Sequence, residues 1–293
     1  MIDASPARTQ ATETVHLWRR LLSHRSVVVG GILFALVLVA ALFAGWLAPF
    51  DPLDTDPTNA LQPPGRDHWM GTDQLGRDIF SRVIHGARPS LIMGVAPMII
   101  SSIIGTASGM IIGYYGRWAD LMMTRFSDIA LAFPPILLAL TVVAVLGPGL
   151  WSIALALGLS GIPFYLRMAR GQVIQAKKAP FVQTAVSIGA GDARVMFRHI
   201  IYRVFPPILV MMTIHVAGAI LAGAALSFLG LGIPPPTAEW GTMIQDGRQF
   251  LVLSWWMAFF PGVALAITVF ATNLLGDGLR DVIDPRSKGE PIR

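Results

Sequence analysis

An all-α, polytopic membrane fold with six transmembrane helices is what this sequence predicts, and three observations carry the prediction. First, 54% of the 293 residues are hydrophobic and only 13% are charged, with a mean hydropathy of +0.62. Water-soluble domains carry about 25% charged residues, so much of this surface meets something other than water. Second, six apolar stretches of spanning length succeed one another. Third, Lys and Arg are unevenly shared between the connections. With the N-terminus inside, 17 of the 22 fall on the inner side, and only Arg66, Arg77, Arg82, Arg88 and Arg248 fall outside. This is the positive-inside asymmetry, and it places both termini in the cytoplasm.

The first span is 27–48, preceded by an N-terminal segment 1–26. Its uncharged run forms a helix of about 33 Å, enough for a hydrocarbon core of about 30 Å. Arg19, Arg20 and Arg25 before it admit a signal peptide, but the run exceeds the roughly 7–15 apolar residues of such a leader. An uncleaved helix is expected. Five further spans are read at 90–115, 128–147, 149–169, 207–230 and 253–275, within a core domain 90–285 followed by a tail 286–293. Kinks are expected at Phe133-Pro134-Pro135 and Gly161-Ile162-Pro163. Gly105, Gly109 and Gly113 line one face of the second span, a spacing suited to close helix packing within one subunit. His215 and Asn273 are polar residues inside spans. For His215 a hydrogen bond to a neighbouring helix is expected, with a place on a solute path as the lesser alternative.

The connections add detail. The outer loop 49–89 is proline-rich and ends in a short amphipathic stretch, read as a capped helix at the membrane interface. The inner loop 170–206 is the longest and most basic. Phe181 to Ile188 can form two helical turns ended by Gly189. Asp192 is read as the N-cap of a second helix that Pro206-Pro207 keeps from joining the fifth span smoothly. Such a helix–Gly–helix unit suits docking to a soluble partner, or equally a connector lying on anionic lipid. Trp240, Trp255 and Trp256 are expected in an interfacial aromatic belt.

Several classes are excluded or disfavoured. The chain has no cysteine, so thiolate metal sites and disulfides are ruled out. Its three lysines do not follow the glycines of a nucleotide-binding phosphate loop. The bases are dispersed rather than clustered, so nucleic acid is not an expected partner. No catalytic or metal-ligand spacing occurs, and no enzymatic activity, metal or cofactor of the chain's own is expected. A self-sufficient secondary transporter or channel would need membrane-embedded acids or inverted repeats. A membrane scaffold that transports nothing is a further alternative.

Three long stretches, HWMGTDQLGRDIFSRVIHGARPSL (68–91), ALSFLGLGIPPPTAEWGTMI (225–244) and NLLGDGLRDVIDP (273–285), carry a resemblance. The chain resembles the C-type permease subunits of dipeptide, oligopeptide and nickel importers of the ATP-binding-cassette class, from about residue 15 to 286. The resemblance implies a type I importer permease architecture in a bacterial cytoplasmic membrane. It implies a homologous B-type permease partner, two ATPase subunits that bind ATP and Mg, and an extracytoplasmic solute-binding protein. The solute would be a dipeptide, an oligopeptide or a related small molecule. The family's ATPase-docking element appears here as Gln183-Thr184-Ala185 with Gly189 at the family spacing; glutamine stands where glutamate is usual, and Ile201-Tyr202 where Leu-Pro is usual. Phe181, Asp192, Arg194 and Arg198 complete the implied docking surface, where Gly189 is expected to permit close approach.

Overall fold

The computed structural model describes residues 24–283, so most of the N-terminal segment and the tail lie outside the described residues. Helix α1, Arg25–Leu42, breaks at Phe43 before a single turn, α2, Ala44–Leu47. Then follow α3, Ile79–Tyr115, α4, Arg117–Ala132, and α5, Pro135–Leu146. Helix α6 is Leu150–Lys177, and α7 is the short Pro180–Ser187. Helix α8 runs Asp192–Leu231, α9 is Trp240–Gly247, and α10 is Trp256–Ile283.

Five of these helices (α1, α3, α6, α8 and α10) are long and apolar enough to cross a membrane. The third expected span is not one straight helix. Helices α4 and α5 meet at Phe133-Pro134 with a 91° bend. Pro134 and Pro135 have no N–H to continue the α4 ladder, but Pro135 suits the first turn of a new helix. Helix α5 alone, 12 residues long, covers only about 18 Å. The sixth crossing nevertheless exists, because α3 and α6 run parallel. Gly105 faces Ile162 and Tyr165, Gly109 faces Ala169, and Gly113 faces Val173, both chains ascending together. The chain must therefore return between Tyr115 and Leu150, the stretch that holds the bent α4–α5 pair. By contrast, α6 passes unbroken through Gly161-Ile162-Pro163.

The α3–α6 seam is the most extensive helix contact. A Cβ on Gly105 would lie 2.7 Å from the Tyr165 Cβ, and one on Gly109 2.9 Å from the Ala169 Cβ. Gly158 and Gly161 do the same on α6, where an added Cβ would lie 2.9 Å from Ile100 and Ser101 of α3, respectively. Glycine on both surfaces lets the backbones approach, and dispersion over that close contact replaces the hydrophobic drive that lipid removes.

Helix α4 is inverted in its polarity. Asp120, Ser127 and Asp128 lie on the side of α6, where Arg170 pairs with Asp120 and Arg167 with Asp128. Trp118, Met122, Phe126 and Ile129 are exposed on the other side. Arg125 is exposed on that same side, so the outward side is mainly but not wholly apolar.

Three sequence expectations need correction. The amphipathic stretch after Asp78 is no separate interfacial helix; it is the first turns of α3, which passes through residue 90 and Pro89 without a break. Arg82, and Arg77 just before it, are buried because their charge is met: Arg77 pairs with Asp73 at 2.7 Å, Arg82 lies 3.6 Å from the same carboxylate, and Arg82 donates to the carbonyls of Pro52 and Pro236, whereas Arg88 is exposed. Next, α8 continues through Pro206-Pro207 into the fifth span, after a wider π-helical turn at Val195–Ile200. The carbonyls deprived of helical donors belong to Tyr202 and Arg203, both exposed, so the missing bonds cost little. Finally, Trp240 and Trp256 are not belt residues. Both are buried, and their indole N–H groups donate to the carbonyls of Val83 and Thr72 at 2.9 and 3.1 Å. Only Trp255 of the three is half exposed.

Two outcomes follow. Gly109→Val should destabilise the chain by about 1–3 kcal/mol through overpacking of the seam, read as a lower melting temperature in detergent. Asp73→Ala should cost about 3–5 kcal/mol because two buried guanidinium groups lose their common carboxylate. A melting temperature equal to that of the parent in either variant would remove the corresponding argument.

Candidate functional site

The candidate site is the end of the bundle where α6 ends and α8 begins. Helix α6 stops at Lys177 with Lys178 as its C-cap, and Pro180 opens α7 at its first position. Proline is preorganised there and loses no helical bond. Val182 and Ala185 are the buried positions of α7. Val182 enters a continuous apolar cluster with Tyr165, Ala169, Val173 and Ala176 of α6 and Val195, Met196, Ile200 and Val204 of α8. The short helix is thus seated on two spans at once.

Its end is a Schellman motif. The Ala190 N–H reaches the Ala185 carbonyl and the Gly189 N–H reaches the Val186 carbonyl, each at 3.0 Å, with Gly189 at φ +83°. Among the described residues, its two chain neighbours apart, no atom would come within 4 Å of a Cβ on Gly189. The glycine is therefore required for its left-handed backbone, and the expected close approach is not one made inside this chain.

The remaining expected residues are arranged around this frame. Gln183 and Thr184 are exposed; the Thr184 hydroxyl donates back to the Pro180 carbonyl at 2.9 Å. Phe181 is 41% exposed and lies under the Arg203 guanidinium, 5.2 Å from charge to ring centre. Arg194 and Arg198 are exposed. Asp192 does not cap α8: Gly191 is the N-cap, and the Asp192 carboxylate instead accepts from the Tyr114 hydroxyl at 2.8 Å. That bond ties the start of α8 to the last turn of α3. Lys177 closes the same corner, donating to the Tyr114 carbonyl at 2.6 Å.

Tyr114 and Lys177 are the residues that sequence reasoning passed over. The only available signal was the change from an apolar run to tyrosines at the end of the second span. Exposed apolar side chains also cluster here. Val186, Ile188, Phe197, Tyr202 and Phe205 are each more than half exposed, and Ile188 reaches 79%. A contiguous exposed apolar patch of this kind is the physical requirement for an interaction surface.

His215 and Asn273 are placed apart from this surface. The His215 ring packs on Phe164 and Tyr165 with centroids 4.6 and 4.8 Å apart, so aromatic contact takes the place of the expected interhelical hydrogen bond. Asn273 is exposed on α10.

At the opposite face, residues 49–78 and α9 form a cap over α3. Glu239 is fully buried and caps α9, accepting from the N–H groups of Gly241 and Thr242 at 2.7 and 2.9 Å. Asp78 caps α3 in the same way, accepting from the Ser81 N–H at 2.8 Å. Burial pushes the Asp246 carboxyl above its usual range, while nearby Arg82 and Arg77 pull it back.

The family model described as the binding-protein-dependent transport system inner membrane component matches residues 105–289. That for the N-terminal transmembrane domain of oligopeptide transport permease C matches residues 14–64. The chain is 41% identical to a dipeptide transport system permease protein of Alkalihalophilus pseudofirmus, over 98% of this chain and 95% of the relative. It is 43% identical to a putative peptide transport system permease protein of Brucella abortus, over 93% and 92% of the two chains. It is also 43% identical to a glutathione transport system permease protein of Escherichia coli, over 93% and 90%. The chain therefore belongs to the family of binding-protein-dependent transport inner membrane components, the permease subunits of ATP-binding-cassette importers.

Proposed function

We propose that this permease carries dipeptides, oligopeptides or related small solutes into the cell and receives its driving force at α7 and the first turns of α8. The observation that carries this reading is the seating of α7. Its buried side joins the cores of α6 and α8, while its outer side presents Phe181, Gln183, Thr184, Val186 and Ile188. A soluble partner that grips the outer side therefore pulls on two spans together. The relatives named for dipeptide, peptide and glutathione transport support the solute class.

The remaining assembly follows the same reading. A homologous B-type permease completes the pathway, two ATPase subunits lie in the cytoplasm with ATP and Mg, and a solute-binding protein delivers from outside. Both termini face the cytoplasm. Nucleotide binding draws the two docking helices together and shifts the bundle from an inward-open to an outward-open population; hydrolysis restores the first. No covalent step on the solute is required, and hydrolysis belongs to the partner chains. The glutamine at position 183 removes an acid from the docking face, so the apolar side chains around it supply the grip.

Reconstituted in liposomes with its partners, the complex should take up labelled dipeptide only with ATP and binding protein present. Uptake by this chain alone, driven by an ion gradient, would overturn the assignment. A second test is local. Gly189→Val should hydrolyse ATP yet lose most uptake, since a β-branched residue in the left-handed region costs roughly 1–2 kcal/mol and opens the Schellman turn. Gly189→Asn, which tolerates that region, should retain most coupling. Equal solute-to-ATP ratios in the valine variant and the parent would exclude the turn as the coupling element.

A further inference from the structure

The segment that carries α7, residues 178–191, is gripped at its base by one residue. Lys177 immediately precedes this segment and Asp192 immediately follows it. Both are bound to Tyr114 in the last turn of α3. The Lys177 ammonium donates to the Tyr114 carbonyl at 2.6 Å and lies 5.1 Å from the centre of its ring. The Tyr114 hydroxyl donates to the Asp192 carboxylate at 2.8 Å. Backbone, ring and hydroxyl of a single tyrosine thus engage both ends of one short excursion of the chain.

The segment has no other directional hold on the spans among the described residues. The hydrogen bonds of its own side chains stay within it; Thr184 and Ser187, for example, donate to the carbonyls of Pro180 and Gln183 at 2.9 Å. Burial of Val182 seats α7 on α6 and α8, but apolar burial is non-directional and leaves the helix free to slide on its seat. Hydrogen bonds fix both distance and angle. Tyr114 also stands where helices converge. Gly113 beside it packs on Arg170 and Val173 of α6, and Gly116 alone separates α3 from α4. Helix α4 is in turn paired with α6 through Asp120 and Arg170.

We propose that Tyr114 is a positioning residue for transport: it clamps the two ends of the α7 segment, so that a displacement of α7 reaches the end of α3 and, across Gly116, α4. The proposal rests on the importer reading, which makes α7 the place where a partner pulls. Both bonds are open to solvent, and each is weak alone. Their effect falls on where the segment stands more than on whether the chain folds.

The test uses the whole complex in liposomes and measures labelled dipeptide carried per ATP hydrolysed. Tyr114→Phe keeps the ring and the carbonyl and removes only the hydroxyl; it should lower that ratio about fivefold, the weight of one hydrogen bond. Asp192→Ala should lower it equally, and Asp192→Asn, whose amide oxygen still accepts from the tyrosine, should keep most of it. Lys177→Met, which releases the other end, should lower it as well. Tyr114→Phe combined with Asp192→Ala should be no worse than either alone, because both remove the same bond.

A parent-like ratio in Tyr114→Phe or in Lys177→Met would overturn the clamp and leave the importer intact. So would a double variant whose losses multiply. An Asp192→Asn variant as poor as Asp192→Ala would assign the carboxylate to a charge contact elsewhere and overturn the clamp equally. If Tyr114→Phe fails to insert, the two Asp192 variants, at an exposed position, decide alone. A parent complex without ATP-dependent uptake would remove the importer reading, and the clamp with it.

Discussion

The contact on which the rest of this molecule depends is the glycine seam between α3 and α6. In a bilayer, apolar side chains gain little by leaving lipid for protein, so close backbone approach must supply the attraction. Gly105, Gly109 and Gly113 give α3 a smooth face, and Gly158 and Gly161 do the same for α6. Because the two helices are parallel, the seam also dictates topology. The chain between them must cross the membrane once, although no straight helix is available to do so. The bent α4–α5 pair and its inward-facing charges are the consequence.

Helix α3 also transmits the order established at the seam to both faces. At 37 residues it is about 55 Å long, well beyond the hydrocarbon thickness. Its first turns rise into the outer cap, where Asp78 caps it and Trp240 bonds to the Val83 carbonyl. Its last turn holds the inner surface through Tyr114. The cap and the Tyr114 corner are thus the two ends of one helix. Helix α7 shares core residues with α6 and α8, and α6 meets α3 along the seam.

Much of this was legible in the sequence, and the reasons for the remainder are physical. Span composition and the Lys and Arg asymmetry are one-dimensional signals, so the spans could be read directly. The glycines at 105, 109 and 113 announced a packing face by their spacing, and Gly189 announced a helix end. What could not be read was compensation between distant residues. Arg77 and Arg82 look like water-facing charges until Asp73 and the carbonyls of Pro52 and Pro236 are brought beside them. Trp240 and Trp256 look like interfacial anchors until their indole groups find carbonyls within the cap.

Asp192 makes the same point at the site itself. Its position before a helix, after two small residues, is a strong local signal for an N-cap. The structure uses it instead for a bond to Tyr114, 78 residues away, because Gly191 already takes the cap position. The local motif was sound chemistry directed at the wrong partner. Where a segment must be fixed against several helices, a tertiary hydrogen bond can outcompete a local one, since exposed α8 donors can turn to water. The corner between α3, α6 and α8 depends on such ties, and a bond across 78 residues leaves no local mark in the sequence.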